Sequence, residues 1–268
     1  PVGAARAISL IAMMMAVAPA IAPLAGGFLL LVWEWPFIFH ALAAYGALNS
    51  LLIWLLLHET LPHKHAFRPK AIAANYRELA VHPQFLALAA GASLNYAALM
   101  IFLPSSPFVF ITLLGLNPEY LAFIFVGTVS GYIAGSALSA RLSHRLASER
   151  IAILGATLSL TGSLGMIAGH ALFPASVLGI ALPMIVYSTS LGLVQPHTMA
   201  LALKPFGHIA GTGSSLFGFI QMTMSAAASA VVGHFLTDSA WPMLLGMGVA
   251  TSSGLIVLLT TVKRTPQI

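Results

Sequence analysis

The sequence of 268 residues has no cysteine and very little charge. Without cysteine, disulfide frameworks, thiolate metal sites and cysteine nucleophiles are excluded. Charged residues make up 6% of the chain, whereas soluble domains carry about 25%. This scarcity, together with a hydrophobic content of 59%, excludes a soluble globular protein. So few charges cannot build a nucleic-acid-binding face, and the net charge of +5 is better explained by membrane topology.

The sequence also lacks the motifs that mark common catalytic sites. It has no Gly-x-Ser-x-Gly elbow, no His-Glu-x-x-His pair and no phosphate-binding loop with its lysine. His63 and His65 flank Lys64, an arrangement that makes a poor metal site. We therefore expect no enzyme, no cofactor and no metal.

Long apolar runs dominate what is present. A bilayer-spanning helix needs about 20 apolar residues. The runs are continuously apolar, whereas barrel strands alternate polar and apolar residues over about ten positions. The sequence therefore predicts an all-α membrane protein with eight transmembrane helices, at 8–31, 36–57, 83–103, 119–140, 151–173, 176–200, 209–236 and 241–262.

The basic residues support this assignment. All eleven lysines and arginines fall at the two ends of the chain or in the connections 58–82, 141–150 and 201–208. These positions lie on one side of the membrane when eight spans alternate, and the positive-inside rule makes that side cytoplasmic. The long connection 58–82 ends in apolar residues at helical spacing, which predicts a short surface helix over 70–80. Because a span follows Pro1 so closely, we expect the chain to begin inside a larger protein.

The polar residues at membrane depth are amides and rings, with no Asp, Glu, Lys or Arg deep in any span. Asn95 and Tyr96 lie in the third span, Gln195 and His197 in the sixth, and Gln221 in the seventh. For each one alone, an interhelical hydrogen bond is a sufficient explanation. Together they favour a shared cavity that serves as a substrate pathway. A proton-binding carboxylate, if the protein uses one, would lie outside this chain.

Small residues recur every four positions on three spans, which lets helix backbones approach closely in lipid. The first span carries two neighbouring rows, and its prolines should bend it. The two rows of the first span are Ala18, Ala22 and Gly26, and Pro19, Pro23 and Gly27. The fourth span carries Gly127, Gly131, Gly135 and Ser139, and the seventh carries Ser225, Ser229 and Gly233.

The first span, with Ala18, Ala22, Pro23, Gly26 and Gly27, resembles a signature of the major facilitator superfamily: Gly-x3-Gly-Pro-x2-Gly-Gly. In the bacterial drug/proton antiporters of the Bcr/CflA (bicyclomycin-resistance) type this signature lies on the fifth helix. Alanine stands here at the first two glycine positions. Other segments are similar in the same order: "WEWPFIFH", "HETLP", "SPFVFITLLGLNPEYLAFIF", "QPHTMALAL" and "AGTGSSLFGFIQ".

This resemblance implies a partial major facilitator fold that matches helices five to twelve of a twelve-helix transporter. Residues 1–57 would be the last two helices of the N-terminal lobe, 58–82 the cytoplasmic inter-lobe linker and 83–268 the six-helix C-terminal lobe. The first four helices of the same protein would then be missing partners.

The function implied is proton-coupled efflux of small amphipathic drugs by alternating access, in the bacterial inner membrane, with both ends of this chain cytoplasmic. Its partners would be the drug, protons and the lipid bilayer, and no nucleic acid. The polar positions Asn95, Tyr96, Gln195 and Gln221 would line the cavity of the second lobe.

Two further sets of residues take roles from the resemblance. The row Gly127, Gly131 and Gly135 would meet the small-residue rows of the first span at the lobe interface. Arg141 and Arg145 are the remnant of a cytoplasmic loop motif, in which Ala140 replaces an acidic residue.

Two other functions stay open at this stage. A transporter of the same fold could export sugars, amino acids or other metabolites. The other hypothesis is not a transporter: a self-contained eight-helix membrane enzyme or scaffold, which would need buried ionisable or metal-binding residues.

Overall fold

A computed structural model of the chain describes residue 29 and residues 32–56 and 69–262. Within these ranges all regular secondary structure is helical. The helices are α1 Pro36–Leu56, α2 Pro69–Ala80, α3 Pro83–Pro107, α4 Pro118–Leu142, α5 Ser148–Leu172, α6 Val177–Leu203, α7 Ala210–Phe235 and α8 Trp241–Val262. A π-helical turn, Phe108–Leu113, follows α3, and a 3-10 turn, Lys204–Ile209, joins α6 to α7.

The chain divides into two compact units, residues 1–69 and 70–268. In the first unit the described helix is α1, which is long and apolar enough to span a membrane. The second unit contains α3 to α8 and nearly all of α2. The boundary lies inside the connection expected at 58–82, and the short helix predicted over 70–80 is present as α2.

Six segments of the described residues are membrane-length and apolar. One of them, Val177–Phe235, has 59 residues. As a straight helix it would be about 88 Å long at 1.5 Å per residue, far more than a bilayer core of about 30 Å. Its backbone leaves helical geometry at Phe206, with φ −112° and ψ 31°. Because the Gln221 side chain of α7 is hydrogen-bonded to the Gln195 side chain of α6, the chain must reverse direction between these two helices. The segment is two spans, and seven of the eight predicted spans are therefore present. The first, 8–31, lies almost wholly outside the described residues.

Local sequence explains where α3 and α4 begin. Each starts with proline in its first turn, where the missing N–H costs no hydrogen bond. The preceding residue of each caps the helix: His82 accepts from the N–H of Phe85, and Asn117 accepts from that of Glu119, both at 3.3 Å. After the π-helical turn that follows α3, Gly115 has φ +68°, a left-handed conformation that suits glycine where a helix ends.

The helices of the second unit alternate in direction around α6. Close contacts pair Gly162 of α5 with Tyr187 and Gly169 with Gly179, so α5 runs antiparallel to α6. The α4–α5 turn therefore lies at the same end of the unit as the end of α6 and the α6–α7 turn. That end carries Arg141, Arg145, Arg150 and Lys204, and we call it the basic end.

The interior of the second unit is apolar and tightly packed. Its larger cluster is built mainly from α3 and the π-helical turn after it, α5, α6 and α8, with fully buried Phe102, Phe110, Met166, Met184 and Met247. A smaller cluster at the basic end includes Leu79 of α2, which is fully buried and thereby docks that helix. In lipid such packing holds helices together through close contact rather than through exclusion of water.

Candidate functional site

Two of the predicted site residues, Gln195 and Gln221, are hydrogen-bonded to each other. Gln221 Nε2 on α7 donates to Gln195 Oε1 on α6, at 2.7 Å. Gln195 Nε2 donates in turn to the carbonyl oxygen of Ala92 on α3, at 3.1 Å. This relay joins three helices, and both glutamines remain partly accessible.

The glutamine pair retains unused hydrogen-bonding capacity. A primary amide carries two N–H donors and a carbonyl oxygen with two lone pairs. The two observed bonds occupy one N–H of each glutamine and one lone pair of Gln195. A ligand beside the pair could therefore be bound by donors and acceptors without any formal charge.

Tyr96 lies one helical turn from the carbonyl that Gln195 reaches. It follows Ala92 by four residues, so the two share a face of α3. The tyrosine is partly exposed, in contrast to its neighbour Asn95. Its ring therefore borders the same side of the unit as the glutamine pair.

Asn95 occupies a different environment from the glutamines. It is fully buried, and its Nδ2 donates to the carbonyl oxygen of Gly91 in its own helix, at 3.0 Å. Gly254 of α8 packs against it so closely that a Cβ there would lie 2.5 Å from Nδ2. Within the described residues, its Oδ1 has no hydrogen-bond partner. Asn95 thus packs α3 against α8, while its one hydrogen bond stays within its own helix.

Tyr187 makes an interhelical contact beside the predicted site residues, and the sequence prediction did not include it. Its hydroxyl donates to the backbone oxygen of Asn95 at 2.6 Å, and its ring is fully buried between helices. It precedes Gln195 by eight residues, so both project from α6 toward α3. In the sequence it looks like any aromatic core residue, and only this spacing could have indicated its role.

The glycine row of α4 packs against α6. A Cβ on Gly131 would lie 2.5 Å from the carbonyl oxygen of Ile185, and one on Gly135 would overlap that of Thr189. Gly192 of α6 meets α4 reciprocally. Four-residue spacing marks a close-approach face without specifying the partner, and within the described residues that partner is α6. The expected meeting of this row with the first span stays a prediction. The first-span rows, with Ala18, Ala22, Pro23, Gly26 and Gly27, lie outside the described residues.

The loop-motif remnant lies at the basic end. Arg141 closes α4 and Arg145 lies in the turn that follows, and both side chains are exposed. Buried polar side chains in the described ranges are all hydroxyls, amides or imidazoles. Among those residues no group of three His, Asp or Glu side chains could hold a metal.

Stacked apolar helices around an uncharged polar relay define the class as a multi-pass membrane protein. The chain belongs to the Major Facilitator Superfamily, whose family profile matches residues 3–230, and members of this family are transporters rather than enzymes.

Curated relatives agree with this assignment. The chain is 30% identical over 233 residues to an uncharacterized MFS-type transporter, YdgK, of Bacillus subtilis, covering 84% of this chain and 57% of that protein. It is 24% identical to a bicyclomycin resistance protein homolog of Haemophilus influenzae, covering 91% and 61% respectively. It is 27% identical to multidrug resistance protein MdtL of Vibrio parahaemolyticus, covering 95% and 64%. The chain therefore spans about three fifths of the length of these relatives.

Proposed function

We propose that this chain is part of a proton-coupled transporter that exports small amphipathic drugs from bacteria by alternating access. The observation that carries the proposal is the Gln221–Gln195–Ala92 relay, an uncharged polar group between three apolar helices. The names of two relatives, a bicyclomycin resistance protein homolog and a multidrug resistance protein, support drugs as the substrate class.

The chemistry of the relay suits such a substrate. An amphipathic drug brings apolar surface and a few polar atoms, and it leaves water most easily where neutral donors and acceptors replace its hydration. The glutamine amides offer those groups, and the partly exposed ring of Tyr96 offers an aromatic surface. Asn95 contributes indirectly, by fixing α3 against α8.

Proton coupling and topology complete the proposal. The described spans bury no carboxylate, and we place the proton-binding group in a part of the whole protein outside these spans. The basic end faces the cytoplasm, and both ends of the chain lie on that side of the inner membrane. The first-span rows pack where the two lobes meet, and the lobes rock about a substrate held near the midplane.

The test uses the full-length protein in a bacterial strain that lacks its own drug exporters. Expression should raise resistance to several amphipathic drugs, and Gln195→Leu or Gln221→Leu should abolish that resistance at unchanged membrane abundance. Thr157→Val is the matched control, because Thr157 is exposed and bonds only its own helix, at Ile153. In proteoliposomes, adding drug should release protons from the loaded side.

Two results would contradict the proposal. One is unchanged drug susceptibility together with efflux of sugars or amino acids, which would assign the chain to a metabolite exporter. The other is drug export that persists when the proton gradient is collapsed.

A further inference from the structure

His197 of α6 links two other helices at the basic end. Its Nε2 lies 2.9 Å from the hydroxyl oxygen of Ser139 on α4, and its Nδ1 lies 3.1 Å from that of Ser148 on α5. The imidazole is 7% exposed. One side chain thus bonds both helices that flank the turn 143–147. We call this three-residue group the histidine clasp.

The two serine hydroxyls are suitable hydrogen-bond partners for an imidazole that links two helices. A neutral ring has one N–H donor and one nitrogen acceptor, and a hydroxyl can either donate or accept. Ser139 and Ser148 can therefore satisfy both nitrogens in either tautomer. A phenyl ring of similar size would leave both hydroxyls without this partner, and buried polar groups left in that state are costly.

The helices on either side of the turn 143–147 pack against α6, whereas the hydrogen bonds inside the turn are local. The residue before α5, Ala147, has no side chain that could cap the helix. Inside the turn, the N–H groups of Arg145 and Leu146 both donate to the carbonyl oxygen of Leu142, at 2.9 and 2.8 Å. These bonds are local, so they do not attach the turn to α6. The clasp supplies that attachment through side chains.

The clasp also lies beside the glutamine relay along α6. His197 follows Gln195 by two residues, so the two side chains leave the helix on different sides. Gln195 bonds α3 and α7, whereas His197 bonds α4 and α5. Pro196 between them has no N–H to donate to the carbonyl of Gly192, which weakens the helix at this point. Side-chain bonds on both sides therefore hold this stretch of α6 in position.

We propose that His197 is a positioning residue that fastens the turn 143–147, with Arg141 and Arg145, to α6 beside the glutamine relay. Through it, movement of α6 at the substrate site is passed to the arginine-bearing turn at the membrane surface. The transport part of this inference rests on the proposed function, whereas the attachment of the turn does not.

The first experiment measures backbone hydrogen exchange in the full-length protein in lipid nanodiscs. In His197→Phe the amides of 143–150 should exchange about tenfold faster, because a buried hydrogen-bonded contact is lost locally. The control within the same molecule is the turn at the opposite end, where Phe173 and Ser176 donate to local carbonyl oxygens. Unchanged exchange at 143–150, or an equal increase in both turns, would overturn the proposal.

The second experiment asks whether partial replacement rescues the clasp. Glutamine can extend an amide toward Ser139, and asparagine can place one near Ser148. Both His197→Gln and His197→Asn should exchange more slowly at 143–150 than His197→Phe. Ser139→Ala and Ser148→Ala remove one bond each and should lie between wild type and His197→Phe, which keeps the test valid if the phenylalanine variant does not fold. Equal behaviour of all four variants and His197→Phe would contradict the clasp.

A transport assay completes the design. In proteoliposomes, His197→Phe should lower the maximal rate severalfold, and drug affinity measured by equilibrium binding should stay within twofold of wild type. His197→Gln should recover part of the rate. Lost drug binding with slow exchange at 143–150 would place His197 in the substrate site and contradict a positioning role. If no transport is seen even for wild type, the exchange experiments still decide the attachment of the turn.

Discussion

The hydroxyl of Tyr187 donates to the backbone oxygen of Asn95 at 2.6 Å, across 92 positions of sequence. This contact joins α6 to α3 in the interior of the second unit. It lies two turns along α6 from Gln195, which bonds the same helix at Ala92. Two hydrogen bonds, two turns apart on α6, therefore join α3 to α6. The Tyr187 bond is fully buried, whereas the glutamine side chains at the other bond are partly exposed.

Removing the tyrosine hydroxyl should destabilise the second unit modestly. Tyr187→Phe keeps the buried ring and deletes one interhelical bond, which we expect to cost about 0.6–1.5 kcal/mol of unfolding free energy. Tyr120→Phe is the matched control, because Tyr120 is 56% exposed. Denaturant unfolding of the purified protein in detergent measures both. Equal stability of the two variants would show that the Tyr187 bond contributes nothing net.

The two glutamines should be energetically coupled. Gln195→Leu and Gln221→Leu each break the bond between them, so the double variant should lose less stability than the two single losses combined. We expect a coupling of about 0.5–2 kcal/mol, as for other contacting polar pairs between membrane helices. A double-mutant cycle on unfolding free energies measures it. Strict additivity would contradict a direct bond in the membrane-embedded protein.

Adding one methyl group to the α4 row should separate α4 from α6. In Gly135→Ala the new Cβ would overlap the carbonyl oxygen of Thr189, a backbone atom that cannot rotate away. We expect a loss of about 1–3 kcal/mol, the usual cost of overpacking. Gly218→Ala is the control, since a Cβ at Gly218 has nothing within 4 Å. Thermal unfolding should show a lower midpoint for the first variant alone, and a normal midpoint for Gly135→Ala would contradict the close contact.

The docking of α2 should depend on one leucine. Leu79 is fully buried in the smaller cluster, whereas Ile72 on the same helix is 38% exposed. Leu79→Ala should weaken this attachment by about 2–4 kcal/mol, through lost burial and the cavity left behind. Limited trypsin digestion should then cut faster after Lys70 and Arg77, while Ile72→Ala should behave like wild type. Unchanged cleavage in Leu79→Ala would show that other contacts hold the helix.

Much of the helical layout could be predicted because its causes are local. Apolar length indicates a span wherever it occurs, and the six later predicted spans all match described helices to within several residues at most ends. The prolines at 83 and 118 begin helices through their own backbone chemistry. The reversal was expected as the connection 201–208 with its basic residue Lys204, although the apolar pattern continues almost unbroken from Val177 to Phe235.

The sequence indicated which polar residues inside the spans need hydrogen-bond partners, but only partly how those residues are arranged. An amide inside a span must be satisfied by another group, so the sequence could mark Asn95, Gln195 and Gln221 as important. It could not assign their partners. Gln195 and Gln221 bond each other, whereas Asn95 packs against Gly254 of the last helix. Tyr187 carried no sequence signal beyond its spacing from Gln195.

By itself, then, the sequence determined that this is a helical membrane protein, where its described spans lie and which side chains lipid would not tolerate. Those properties follow from length, hydropathy and backbone chemistry, which act within each segment. Tertiary structure alone decided that the glycines of α4 meet α6 and that His197 joins Ser139 to Ser148. In lipid no apolar driving force distinguishes one helix neighbour from another, so partners are selected by the mutual fit of two surfaces, which neither segment contains alone.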